Sequence, residues 1–179
     1  MNNRLADYAR PLILRFWEIC LLRKGPEDIP YSPPLLVLLL VAGYLLDNLR
    51  INLLLPEITA FQLAGILLVH TLFMMLITVG LLFLFGYGAR IIQTLTAFTG
   101  TGIILSVLIL PFDYITSLNP DRFTMVALIV LAVQIWSLVI AGHILSHALS
   151  VHRLTGVIIA IGYLLLGLAA FEYLLPATN

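Results

Sequence analysis

The sequence predicts an all-α polytopic membrane protein, a bundle of five transmembrane helices preceded by an amphipathic surface helix. The chain of 179 residues is 61% hydrophobic and only 10% charged, whereas soluble domains are about 45–50% apolar and about 25% charged. Long uncharged runs recur along it, separated by glycine, proline and charged residues. An uncharged run of roughly 18 or more residues is typical of a membrane-spanning helix.

Residues 1–24 are predicted to form the amphipathic helix, lying on the cytoplasmic face of the membrane. Trp17 and the neighbouring arginines suit the headgroup region. Two alternatives stay open: Pro11 could split the segment into an irregular tail, or the helix could dock on a partner. The apolar stripe at helical spacing consists of Leu5, Tyr8, Leu12, Ile13, Phe16, Ile19 and Cys20, the only cysteine.

A proline-rich connector is predicted at 25–34, because its four prolines exclude a continuous helix. The five-helix bundle is expected over 35–176, with spans at approximately 33–55, 58–86, 89–111, 122–148 and 153–175.

The first span is the least regular, because charges appear from Asp47 onwards. Either the helix continues through Ile51 to Leu55, in which case Asp47 and Arg50 share a face and can pair, or Asp47 to Asn52 lie at the membrane interface. We favour the interfacial placement, because charges inside a membrane are rare and unfavourable.

The remaining spans are bounded by turn signals. The second ends at the glycine-bracketed break Gly86 to Arg90, where Gly supplies unusual backbone angles and Arg90 anchors the next helix. The third is expected to be closed by Pro111-Phe112-Asp113. Asn119-Pro120-Asp121 has the composition of a turn before the fourth, and the fifth ends before Pro176.

The distribution of cations predicts the orientation, since cytoplasmic loops carry an excess of Lys and Arg. We expect a multi-pass protein of the cell inner membrane with a cytoplasmic N-terminus and a periplasmic C-terminus. This orientation puts seven cations inside: Arg4, Arg10, Arg15, Arg23, Lys24, Arg90 and Arg153.

Four polar residues within the predicted spans are candidates for function: His70, Gln134, His143 and His147. A titratable side chain at membrane depth indicates a functional site by default, but hydrogen bonding between helices accounts for such residues as well. His143 and His147 stand four apart on one helical face, as two metal ligands would. Two ligands do not make a metal site, and Ile144 occupies the position where a metallopeptidase has glutamate.

No catalytic arrangement is apparent, because the carboxylates fall at predicted loops and helix ends. We therefore predict no enzyme activity, no cofactor and no metal. The zero formal net charge gives little drive for binding nucleic acid. The expected partners are the lipid bilayer and a membrane protein or a second copy of the chain.

A set of residues in and around the third and fourth spans forms a recognisable pattern: Gly86-Tyr87-Gly88, Arg90, Gln93, Ala97, Gly100, Gln134 to Leu138 and Gly142. Through these residues the arrangement resembles the Yip1 family of small five-span membrane proteins, over roughly 33–175. The resemblance is to bacterial-type members, because the Asp-Leu-Tyr-Gly-Pro-like element of the eukaryotic relatives is missing. Binding to Rab GTPases is therefore not implied.

These observations favour a non-enzymatic membrane scaffold, membrane organiser or accessory subunit of a membrane complex. Its candidate partner-binding residues are Trp17, Tyr31, Tyr87 and Arg90, all expected on the cytoplasmic face. The alternative is a small transporter or channel with a polar path near His70, Gln134 and His143. Against transport stands the expectation that no carboxylate lies in the middle of a span.

Overall fold

The computed structural model describes the backbone of residues 2–118 and 123–175 and the side chains of residues 10–118 and 126–175. This part of the chain forms six α-helices and no strand, which confirms the predicted all-α class. The helices are α1 (Asn2–Cys20), α2 (Pro33–Leu54), α3 (Ala60–Leu84), α4 (Ile91–Leu118), α5 (Phe123–Ala148) and α6 (Arg153–Leu174). Short 3-10 turns at Pro26–Asp28 and Gly88–Arg90 precede α2 and α4.

Five helices, α2 to α6, are long and apolar enough to cross a membrane, so the predicted polytopic class is confirmed. An α-helix pairs its backbone groups within the segment, which is what a hydrocarbon environment requires. Their outward faces are apolar, as the exposed side chains of Leu38, Leu76 and Ile158 illustrate. Lipid is the solvent that suits such a surface.

The predicted end of the third span at Pro111 is wrong, because α4 continues through it to Leu118. A proline removes one backbone hydrogen bond, but spanning helices tolerate this where neighbouring groups compensate. Beyond Pro111, Asp113 is almost fully buried and bonded to Arg50 of α2, which holds the last turns of α4 against a neighbouring helix. The predicted turn at Asn119-Pro120-Asp121 and the end of the bundle at Pro176 lie outside the described residues.

The helices pack as two pairs, α2 with α4 and α5 with α6, joined by contact between α4 and α5. Glycines allow close approach within both pairs. Gly43 of α2 faces Thr99 and Ile103 of α4, and Gly156 of α6 lies against the carbonyl oxygen of Gly142 in α5. Small residues at such crossings are typical of helices in membranes. Helix α3 lies beside α2 and α6 and contacts α4 less extensively.

Helix α1 continues through Pro11 and packs its C-terminal half against α4 and α5. Phe16, Ile19 and Cys20 are almost fully buried in this contact. Gly100 of α4 makes it possible, because the Phe16 ring occupies the space where a side chain would stand.

The predicted apolar stripe of α1 is therefore divided. Phe16 and Cys20 face the protein's own bundle, whereas Ile13 is 59% exposed. Leu5 and Tyr8 belong to a part whose side chains are not described. The location of α1 on a membrane surface stays a prediction, and the docking partner that it finds here is its own chain.

Candidate functional site

A central cavity of about 500 Å³ lies among α3, α4, α5 and α6, with two residues of α2 at its edge. Most of its wall is apolar or aromatic. Its polar side chains are Asp47, His70, Thr101, Gln134, Ser137 and Tyr163. A neighbouring cavity of about 310 Å³ between α2, α3 and α4 shares Asp47, His70 and Tyr163 with it. Two of the four polar candidates from the sequence, His70 and Gln134, thus face a common space.

His70 makes one hydrogen bond between helices. Its Nε2 lies 3.2 Å from the carbonyl oxygen of Gly167 on α6, and its ring meets Phe171 edge to face at 5.7 Å between centroids. A carbonyl oxygen can only accept a hydrogen bond, so Nε2 carries the hydrogen of the neutral imidazole ring. Nδ1 of that tautomer is then a hydrogen-bond acceptor.

A layer of three charged side chains and one serine joins α2 to α4 beside the central cavity. Arg50 of α2 is bonded through Nε to Asp113 Oδ2 of α4 at 2.7 Å and through Nη1 to Ser106 Oγ at 3.0 Å. The Ser106 hydroxyl in turn donates to Asp47 Oδ1 at 3.2 Å. We call Asp47, Arg50, Ser106 and Asp113 the charged layer.

Of the two alternatives for the first span, the structure shows the continuing helix, because α2 runs on to Leu54. Asp47 stands seven residues before that end, or about 10 Å along the axis. The placement of Asp47 to Asn52 at the membrane interface stays a prediction. The expectation that carboxylates fall at loops and helix ends fails for Asp113, whose side chain is 5% exposed within α4. Continuation of both helices brings these residues inside the bundle.

The charged layer has one positive group for two negative ones. Arg50 makes its short contact with Asp113, whereas its Nη1 is 3.8 Å from Asp47 Oδ1. The side chain of Asp47 is 50% exposed and lines both cavities. Asp47 is thus the carboxylate whose charge is less fully matched, and it faces the open space.

Tyr163 and Gln134 complete the polar part of the wall. The Tyr163 ring stacks on Phe98 at 5.7 Å between centroids, and its hydroxyl accepts from Thr78 Oγ1 at 3.4 Å. Gln134 is exposed towards the cavity, while the nearby Ser137 hydroxyl is already bonded to the Gln134 carbonyl oxygen at 2.7 Å. Tyr163 was not among the candidate residues that the sequence predicted for this site.

His143 and His147 lie elsewhere, at the end of α5 near the connector. His143 Nε2 donates to the Lys24 carbonyl oxygen at 2.9 Å, and His147 Nδ1 is 2.7 Å from Glu27 Oε1. Their ring centroids are 4.5 Å apart. His143 is not among the residues that line the central cavity, so the predicted path from His70 through Gln134 to His143 is not continuous there. Both histidines hold the connector against α5.

The four candidate partner-binding residues differ in exposure. Tyr31 is 64% and Trp17 41% exposed, and Trp17 also meets Trp136 edge to face at 6.3 Å. Arg90 lies over the Tyr87 ring at 4.6 Å and donates to the carbonyl oxygens of His147 and Ala148, both at 3.0 Å. Arg90 therefore closes the C-terminal end of α5.

The fold and this site define a class: a helical, multi-pass membrane protein with a largely apolar cavity that carries a few polar side chains and with charged side chains between two of its helices. Neither protein-family models, nor curated proteins, nor solved structures match the chain. The resemblance to the Yip1 family stays a prediction.

Proposed function

We propose that this protein is a small transporter whose central cavity binds an amphipathic organic cation. The observation that carries the proposal is the position of Asp47, a partly matched carboxylate at the edge of an otherwise apolar cavity inside the bundle. Ionisable side chains within spanning segments face pathways or binding sites for substrates and ions.

The size and lining of the cavity suit a small molecule. Its volume of about 500 Å³ falls within the range of roughly 300–1,000 Å³ that ligand sites occupy. The wall is mainly apolar, with a few converging polar groups, which is the usual composition of such sites. An amphipathic ligand would bury its apolar part against α5 and α6.

The electrostatics favour a cation. The charged layer carries two carboxylates and one guanidinium, which leaves one negative charge beside the cavity when both carboxylates are ionised. Phe98, Tyr163 and Phe171 add aromatic faces, whose negative quadrupoles attract cations. An anion would meet an unfavourable potential and would have no guanidinium free of a carboxylate partner in this layer.

One objection that the sequence raised against transport was the expected lack of charged groups within the bundle. The positions of Asp47, Arg50 and Asp113 weaken that objection. The path that we propose keeps His70 and Gln134 from the earlier alternative, adds Asp47 and leaves out His143. The scaffold prediction keeps its four candidate docking residues, of which Tyr87 and Arg90 are partly exposed and are engaged with each other and with α5.

The test uses the purified full-length protein in liposomes and radiolabelled tetraphenylphosphonium, an aromatic monovalent cation, as the probe. We expect saturable binding and uptake that Asp47→Asn reduces at least about tenfold, because the substitution removes the unmatched charge from a site of low dielectric constant. Asp47→Glu, which keeps the charge, should retain most of the binding.

Glu57→Gln is the matched control, because Glu57 is an exposed carboxylate in the turn between α2 and α3. It removes one negative charge outside the cavity and should leave binding unchanged. Absence of saturable binding, or equal binding by wild-type protein and Asp47→Asn, would overturn the proposal. Copurification with a membrane-protein partner in that case would favour the scaffold.

A further inference from the structure

A third cavity lies at the other end of the bundle from the charged layer. It is a cleft of about 610 Å³ between the Pro26–Asp28 turn, the beginning of α4, the end of α5 and the beginning of α6. We call it the terminal cleft. In contrast to the central cavity, eight of its ten lining residues are polar or charged: Glu27, Arg90, Gln93, Ser146, His147, Ser150, His152 and Arg153.

The terminal cleft has an excess of positive charge. Two arginines and one glutamate line it, so the net charge is +1 with neutral histidines. The Glu27 carboxylate is not free, because His147 Nδ1 lies 2.7 Å from its Oε1. Arg90 is held in place by Ser150 Oγ at 2.8 Å and by the last carbonyl groups of α5.

Arg153 is the side chain in the cleft that is most accessible for binding an anion. It is exposed, and none of the ion pairs among the described side chains involves it. It is also the first residue of α6, whose N-terminus contributes unpaired amide hydrogens and a positive dipole end. The preceding His152 accepts the Leu154 amide through Nδ1 at 3.3 Å, so Nε2 of its neutral ring carries a hydrogen that it can donate.

We propose that the terminal cleft binds a phosphate group, with Arg153 as its principal ligand and Arg90 and His152 in support. Guanidinium groups match phosphate oxygens through paired hydrogen bonds. The cleft lies at the ends of three spanning helices, a level at which basic pockets meet lipid headgroups. The phosphate can belong to an anionic lipid or to a soluble molecule, and the experiment separates these sources. The proposal is independent of the function of the central cavity.

The test uses the full-length protein in a neutral detergent. In one arm, native mass spectrometry compares the binding of phosphatidylglycerol with that of phosphatidylcholine. In the other, thermal stability is compared in inorganic phosphate and in chloride at equal ionic strength. We expect Arg153→Gln to weaken binding of the phosphate-bearing anion about fivefold and Arg153→Lys to restore part of it.

Arg23→Gln is the control, because Arg23 is an exposed arginine that does not line the cleft. A preference for phosphatidylglycerol that depends on Arg153 and not on Arg23 identifies a lipid headgroup, and stabilisation by inorganic phosphate with the same dependence identifies a soluble ligand. The proposal is overturned if neither arm responds to Arg153, or if Arg23→Gln has the same effect as Arg153→Gln.

Discussion

Arg50 of α2 and Asp113 of α4 form an ion pair, with 2.7 Å between Nε and Oδ2, although 63 residues separate them in the sequence. The side chains are 16% and 5% exposed. Each charged side chain takes the place of the water that the other has lost, because a single buried charge without a partner is strongly unfavourable. The pair also places Asp47, the remaining carboxylate of the charged layer, beside the central cavity.

Removing one member of this pair should destabilise the protein severely. We expect Arg50→Met to lower the free energy of unfolding by about 3–5 kcal/mol, since two carboxylates then lack their cation. The double variant Arg50→Met/Asp113→Leu should recover much of the loss, because the only carboxylate then left without its cation is Asp47, whose side chain is half exposed. Unfolding in mixed detergent micelles, followed by circular dichroism, measures both. Additive losses in the double variant would contradict the pairing.

Gly100 should control the docking of α1, because the Phe16 ring occupies the space of its missing side chain. Overpacking of this kind costs about 1–3 kcal/mol, so Gly100→Ala should increase the opening of α1 roughly 5- to 150-fold. The readout is alkylation of Cys20, the only cysteine, which is buried. Gly102→Ala is the control, because nothing lies within 4 Å of its added Cβ. Equal alkylation rates in both variants would mean that Gly100 is not a docking determinant.

The reactivity of Cys20 should also depend on pH in a way that reports its burial. Removal from water raises the pKa of the thiol from 9.0 to about 11, since burial disfavours the thiolate. Its alkylation rate in the folded protein should therefore keep rising between pH 9 and 11, whereas in the denatured protein it should level off above pH 9. The contribution of the Cys20 thiol to the free energy of unfolding is constant below pH 9 and decreases as the pH rises from 9 to 11. A plateau near pH 9 in the folded state would show that the thiol is solvated.

Gly156 should be essential for the close crossing of α5 and α6. A Cβ at this position would meet the Gly142 carbonyl oxygen and would lie 2.7 Å from Ser146 Cβ. We expect Gly156→Ala to lower the free energy of unfolding by about 1–3 kcal/mol, despite the higher helix propensity of alanine. Gly162→Ala, on the same helix with open space around it, should be neutral or slightly stabilising. The same micelle unfolding assay compares them.

The interpretation of the sequence succeeded where the signal is local. Uncharged runs of sufficient length identify α2 to α6 as spanning helices without any knowledge of their neighbours. The spacing of Asp47 and Arg50 also indicated that they could pair if α2 continued. The predicted helix end at Pro111 was wrong. Proline disfavours a helix interior because of its ring and its missing amide hydrogen, whereas the pairing of Asp113 with Arg50 of another helix is a tertiary contact that the local sequence does not reveal.

The sequence by itself determined the membrane class of this protein, its helical content and the approximate positions of its five spans. The tertiary structure decided which polar side chains share a cavity, which carboxylate keeps its charge unmatched, and that Phe16 docks α1 on Gly100. The physical reason is that lipid accepts apolar side chains on every face of a helix, so the rotation of each span about its axis leaves little trace in its hydropathy. Only packing fixes that rotation, and with it the direction in which His70, Gln134 and Asp47 face.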